Sequence, residues 1–231
     1  MRLGVEIRCN AYAEAADVTA EDPDIVVVAT GGVPNPSFLD AGDALATSPW
    51  DILTGAVKPA ASVLLYDDNG AHPGMTAAEF IAGAGSELEV VTPERMLAPD
   101  IGGTSYPAYF RALSLAGVSI VINFRLERLE QRGNRVAGIF FDDYGKRWIE
   151  KEADQIVVER GSTPVDELYF ELKAGSVNLG EIDHGALLAN LPQAIVRNPP
   201  GRYRLFRIGD AVSSRNIHAA VYDAIRLMKD I

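Results

Sequence analysis

In "VLLYDDNGAHPGMTAAEFIA", residues 63–82, an apolar run meets two glycines, Gly70 and Gly74, and then passes into a helical pattern. Glycine at a strand end lets the backbone approach a pyrophosphate, and the following helix offers its N-terminal amides to the anion. The spacing departs from G-x-G-x-x-G, because "AHP" puts one residue more between Gly70 and Gly74, and Asp67 or Asp68 stands at the first glycine position. Either carboxylate repels a phosphate at close range. An acid that holds the ribose hydroxyls is expected at the end of the next strand, yet "EVVTPE" places Thr92 and Pro93 there. The stretch has the form of a dinucleotide turn without its phosphate chemistry, which suits a degenerate site or one for a smaller adenine nucleotide. A strand, turn and helix that bind nothing is the competing structural reading.

A second stretch with chemical potential is "RIGDA", Arg207 to Ala211, where an apolar strand delivers Gly209 and Asp210 to an expected helix start. Asp210 can accept hydrogen bonds from a polyol while the helix amides face a ring carbonyl or a phosphate. A plain N-cap or loop role for Asp210 weighs equally. "ATGG", Ala29, Thr30, Gly31 and Gly32, closes an apolar run with two glycines, so the backbone turns tightly against a cofactor or a neighbouring domain. His72, His184 and His218 have no second ligand three or four residues away, which argues against a metal site. Only His218, close to Asp210 in sequence, is retained as a binding candidate. Ser213 and Ser214 lack a G-x-S-x-G setting, and no catalytic residue is assigned.

These candidates need a scaffold, and 231 residues with 48% hydrophobic content can bury a full core as one large domain or two small ones. The formal charge of -11, without a basic run to follow a phosphate backbone, argues against nucleic acid as a partner. No apolar stretch approaches the roughly 18 to 20 residues needed to span a bilayer, and the N-terminus lacks the apolar region of a signal peptide, so no membrane partner and a cytoplasmic location are expected. The single cysteine, Cys9, sits in an apolar–polar strand pattern and reads as a small buried hydrophobe.

Two segments resemble one another: "LGVEIRCN" at 3–10 and "AGVSIVIN" at 116–123. Each leads to an aspartate-initiated apolar run, "DIVVVATGG" at 24–32 and "DQIVVERGS" at 154–162, that reads as a buried parallel strand closed by a glycine turn. The second copy is fuller. It has a strand at 63–66, a helix at 75–84, a strand at 87–92, a helix around 106–116 and a strand near 118–123. The hairpin "RVAGIFFDD"/"RWIEKEA" and a strand at 155–159 complete it. In the first copy the opening strand, glycine turn and helix are absent, so the chain is expected to start halfway through a domain. After residue 162 the pattern is loop-rich until the strand "YRLFRIGD" and the helix "NIHAAVYDAIRLMKDI", which return to complete the first domain.

The order "DIVVVATGGVPN", "VLLYDDNGAHPGMTAAEFIA", "IGDAVSSRNIHAAVYDAIR" resembles the C-terminal region of the NADH:flavin oxidoreductases related to trimethylamine dehydrogenase and 2,4-dienoyl-CoA reductase, and is similar to their N-methylproline demethylase type. The resemblance runs over nearly the whole chain. It implies an α/β fold of two Rossmann-like three-layer dinucleotide-binding domains, the first N-terminally truncated and interrupted by the second. Residues 1–58 and 154–231 would form the incomplete FAD-binding-like domain and 59–153 the inserted NAD(P)-binding-like domain. It also implies that Gly209 and Asp210 take the FAD-binding Gly-Asp position, that "ATGG" is the crossing strand between domains, and that Gly70 and Gly74 match the turn of the inserted domain.

By the same resemblance the cofactor is FAD or ADP, with Asp67, Asp68, Thr92 and Pro93 counting against NAD(P). FMN and an iron–sulfur cluster belong to an N-terminal barrel that the chain does not contain. The expected function is the nucleotide-binding part of a flavin-dependent amine-demethylating or enoyl-reducing oxidoreductase that is not catalytic alone. Its alternatives are a nucleotide-binding or assembly module without redox activity, and a structural homo-oligomer in which a second copy covers an open sheet edge.

Overall fold

The computed structural model describes residues 4–35, 37 and 39–229. Along the chain run α1 (Ala15–Ala20), β1 (Ile25–Val28), β2 (Gly32–Pro34), β3 (Ala46–Thr47), α2 (Pro49–Leu53), β4 (Ser62–Asp67), α3 (His72–Gly83) and β5 (Glu87–Val91). There follow α4 (Tyr106–Leu115), β6 (Ser119–Val121), β7 (Phe124–Arg132), β8 (Arg135–Asp142), β9 (Arg147–Ala153) and β10 (Gln155–Glu159). The chain closes with β11 (Ser162–Pro164), α5 (Glu167–Lys173), α6 (His184–Ala189), β12 (Arg204–Arg207) and α7 (Ile217–Lys229). They fall into two units: an outer one, up to Val33 and from Ser162 onward, and an inner one, Pro34–Gly161.

The inner unit is α/β. Its parallel sheet has the strand order β3-β10-β4-β5-β6. β4 is buried on both faces, and strand alternation decides which side chain meets which layer. Val63 and Leu65 point to the helices, where they join Met75, Ala78 and Ile81 of α3 and Leu113 of α4. Leu64 and Tyr66 point to the antiparallel meander β7-β8-β9, where they meet Leu126, Leu129 and Phe140. β10, the strand that closes the second copy, lies directly beside β4, with Ile156 opposite Leu64 and Glu159 opposite Asp67. β3 extends that sheet, so the unit begins before residue 59.

α2 seals part of the helical layer with Ile52, which is fully buried. It starts in a capping box: Ser48 Oγ accepts from the Asp51 amide at 3.1 Å, and Asp51 Oδ2 accepts from the Ser48 amide at 3.0 Å. Ser48→Ala is expected to cost about 1 kcal/mol, read as a lowered thermal midpoint with an unchanged circular dichroism spectrum.

In the outer unit β1 and β12 run parallel, Ile25 beside Arg204 through Val28 beside Arg207. α5 covers this ribbon through Tyr169 and Leu172, which pack with Val28, Tyr203 and Leu205. Asn178, buried, clamps the ribbon edge: its Nδ2 donates to the Leu205 carbonyl at 2.8 Å and its Oδ1 accepts from the Leu205 amide at 2.9 Å. The repeat holds where "DIVVVATGG" and "DQIVVERGS" correspond, since β1 and β10 each end at a left-handed glycine, Gly31 and Gly161, before β2 and β11, which pair.

The repeat fails at its other end. Residues 4–10 form no strand, whereas Ser119–Val121 does, and Leu3 lies outside the described residues. Cys9 is accordingly exposed, correcting its expected burial, because no ladder covers that segment. β1 is also less buried than its apolar run suggests, with only Val28 fully enclosed. The stretch read as loop after 162 contains α5, whose apolar face is held by the outer core. No helix among the described residues is long and apolar enough to cross a membrane.

Candidate functional site

The first candidate lies at the carboxyl edge of the β1–β12 ribbon, the edge at which parallel α/β sheets bind ligands. β1 leads into Ala29 and Thr30, both exposed, and then Gly31. Gly31 has φ +75°, and the space where its Cβ would stand is open. β12 leads through Ile208, whose amide donates to the Val28 carbonyl at 3.0 Å, into Gly209. Gly209 has φ +63° and opens a short 3-10 turn containing Asp210.

"ATGG" and "RIGDA" converge through Ser162. Gly32 lies so close that a Cβ there would sit 2.9 Å from Ser162 Oγ, and that hydroxyl donates to Asp210 Oδ2 at 3.0 Å. Thr30 Oγ1 in turn donates to the Val165 carbonyl. Asp210 does not cap the final helix. Asn216 does, accepting from the Ala219 amide at 2.9 Å, while Asp210 Oδ1 accepts from the Arg215 amide at 3.2 Å. The helix therefore begins at Ile217, several residues beyond the Gly-Asp pair. His218 is exposed on its first turn, and the hydrogen bonds of Asp210 among the described residues go to Ser162 and Arg215 instead.

Three residues of this site escaped the sequence reading. Asp223 Oδ2 accepts from the Gly209 amide at 3.1 Å, Arg215 pairs with Asp223 and donates to the Gly209 carbonyl at 3.2 Å, and Ser162 holds Asp210. Ser162 had a signal, since it occupies the repeat position of Gly32. Asp223 had none, because a charge on an amphipathic helix reads first as part of a solvated face, and Arg215 stands before that helix, outside any motif.

Beside Thr30 opens a cavity of about 640 Å³ whose wall includes Glu14, Glu167 and Glu171. No Lys or Arg lines it. Hydroxyl and carboxylate groups at this edge suit the hydroxyls of a ribityl or ribose chain, whereas three glutamates disfavour a phosphate. The described residues thus fit the polyol part of a flavin or adenine nucleotide and supply no phosphate cradle.

The second candidate, the β4–α3 turn, is built differently. Asp67 follows Val63 and Leu65 onto the helical side of the sheet and is 1% exposed. Its Oδ1 accepts from the amides of Asn69 at 3.1 Å and Gly70 at 3.0 Å. Its Oδ2 has no hydrogen-bond partner among the described residues. The carboxyl rests against Gly74 in the first turn of α3, where a Cβ would stand 2.7 Å from Asp67 Cγ.

Gly70 is just as enclosed, with Pro99 Cδ 2.7 Å from the place of its Cβ. Glu159, 4% exposed, accepts from Asn69 Nδ2 at 2.9 Å and from the Gly161 amide at 2.8 Å, and Asp68 pairs with Arg160 at 3.1 Å. Burial pushes the Asp67 carboxyl up to about 7, against the pull of the two turn amides, and the charges of Glu159 and Asp68 add to the rise. Burial also raises Glu159 and Asp68. Thr92 is buried and Pro93 follows it, so no acid stands at the end of β5.

No family model matches the chain. It is 47% identical over 230 residues to the probable N-methylproline demethylase of Rhizobium meliloti, covering 100% of this chain and 34% of that protein. To the N,N-dimethylglycine/sarcosine dehydrogenase of Chromohalobacter salexigens it is 37% identical over 240 residues, covering 99% and 35%. The solved structure of histamine dehydrogenase from Rhizobium sp. 4-9 matches with a TM-score of 0.76 at 19% identity, over 96% of this chain and 33% of that one. This last likeness shows the fold alone. The chain spans about a third of the length of the curated relatives it matches.

Proposed function

This chain is similar over its full length to part of the demethylases and dehydrogenases of the NADH:flavin oxidoreductase family, and from that premise we propose that it is the nucleotide-binding part of a flavin-dependent oxidoreductase of the amine-demethylating or enoyl-reducing type. In this reading both units are Rossmann-like. The outer unit is the FAD- or ADP-binding domain and the inner unit the NAD(P)-binding-like one.

The observation that carries the reading is the convergence of "ATGG" and "RIGDA" through Ser162 at one carboxyl edge. Asp210 would hold a hydroxyl of the ribityl or ribose chain, with Ser162, Arg215 and Asp223 fixing the turn that presents it. Gly31 would give close backbone access, since open space lies beside it. A bound flavin would supply two-electron redox chemistry, and this chain's residues would bind and orient it. No catalytic residue is assigned to them.

The test begins with denaturing the purified protein and identifying any released FAD, FMN, ADP or NAD(P) by chromatography and mass. FAD or ADP is expected. In titrations with the same nucleotide, Asp210→Ala is expected to weaken binding by about tenfold, and hydrogen exchange should slow at 207–215 when the ligand is added. Binding unchanged in Asp210→Ala, or protection confined to other segments, would remove this site. ADP bound without flavin would favour a binding module over a redox part.

A further inference from the structure

We propose that Asp67 is the residue that decides what the β4–α3 turn excludes: its carboxyl occupies the anion position of the turn, so the inner unit takes no dinucleotide there. This rests on reading the inner unit as NAD(P)-binding-like.

Three features let a glycine turn cradle a pyrophosphate: free turn amides, glycines that admit the ligand closely, and the positive end of a helix. Each is occupied by the protein itself. The Asn69 and Gly70 amides both donate to Asp67 Oδ1. The close approach at Gly74 is filled by the Asp67 carboxyl, whose oxygens lie 2.8 and 2.9 Å from the place of a Cβ. The outer side of Gly70 is closed by Pro99, and the Asp100 amide, donating to the Gly70 carbonyl at 3.0 Å, holds that loop in place.

The carboxyl is aimed at the first turn of α3, a helix of 12 residues, and its buried Oδ2 has no hydrogen-bond partner there. Neutral or ionised, the carboxyl takes the space and the turn amides that an incoming anion would need at this helix N-terminus. A pyrophosphate would have to displace Asp67 and then face Glu159 and Asp68 across the same strand ends, with Arg160 already paired to Asp68. Repulsion between like charges in a desolvated crevice makes that exchange unfavourable.

The experiment compares the full chain with Asp67→Gly and Asp67→Ala, either of which frees the turn amides, using ADP and NADH as probes. Binding is read by calorimetry and by hydrogen exchange at 68–75. Both nucleotides should leave exchange at 68–75 unchanged in the wild type. They should slow it in a folded carboxyl-free variant, with affinity at least about tenfold tighter than any the wild type shows at that segment.

Wild-type protection at 68–75 would overturn the proposal, because the turn would then be open. Folded variants that gain no protection there would overturn it too, because something other than Asp67 would be excluding the ligand. Exchange at 207–215 is read in the same samples, so failure of the outer nucleotide site shows separately from failure at Asp67.

Discussion

Gly74→Ala is expected to destabilise the inner unit by about 2–4 kcal/mol, and Asp67→Gly is expected to cancel most of that loss. A methyl at residue 74 would stand 2.7 Å from Asp67 Cγ, so the carboxyl must move and release the Asn69 and Gly70 amides. The better helix propensity of alanine offsets only about 1 kcal/mol of this. Without the carboxyl the three atoms nearest that methyl are gone, and the same substitution should cost much less.

The four proteins of this double-mutant cycle can be compared by urea unfolding. Trp50 and Trp148, the only two tryptophans, both lie in the inner unit, so tryptophan fluorescence reports that unit. A coupling of about 2 kcal/mol is expected. Additivity within about 0.5 kcal/mol would mean that the carboxyl does not fill the space in front of Gly74.

Asp67→Asn should remove a pH dependence from stability. The Asp67 carboxyl holds its proton in the folded chain up to about 7, whereas an ordinary aspartate releases it near 3.8. Between those values unfolding releases a proton, so the Asp67 contribution to stability falls as pH rises from about 4 to about 7 and is level above that. Asparagine keeps the size and an oxygen for the turn amides but carries no charge.

The variant is therefore expected to exceed the wild type by about 2–4 kcal/mol at pH 8 and to match it near pH 4. A shallower slope should persist in the variant, because Glu159 and Asp68 are also raised by burial and titrate in the same sense. Thermal midpoints across the pH range provide the comparison. Parallel profiles for the two proteins would show that Asp67 ionises with little penalty in the folded chain.

Much of the inner unit was legible because its signals are local. The uninterrupted apolar run before Asp67 forms β4, "ELEVV" forms β5, the "YGK" turn joins β8 to β9, and the helix after Gly70 is α3. That helix begins at His72, earlier than its apolar pattern suggests, because Pro73 is well suited to a first turn. β7 was missed for an equally local reason. Its apolar residues Phe124, Leu126 and Leu129 lose their alternation at a bulge between Leu126 and Arg128, so no single period describes the strand.

The candidate site was legible only in its glycines and acids. Asp67 was visible as an acid in the wrong place for a phosphate, and the period of two even implies its face, since residues 63, 65 and 67 share one side. That this face leads into the first turn of α3, and that the carboxyl lies against Gly74, follows from how helix and strand pack. Ser162 and Asp210 are 48 positions apart and meet through the pairing of β11 with β2 and of β1 with β12.

By itself the sequence determined the strands and helices with clean periods, the glycines that mark turns, the correspondence between "DIVVVATGG" and "DQIVVERGS", and the family resemblance. The tertiary structure alone decided that Cys9 is exposed, that β3 pairs with β10, that Ser162 joins two distant motifs, and that the dinucleotide-like turn is closed by its own aspartate. The reason is physical. Periodicity records which side of an element is buried, a property of neighbouring residues, whereas contacts between elements depend on the order in which strands pair and layers stack, which no local pattern encodes.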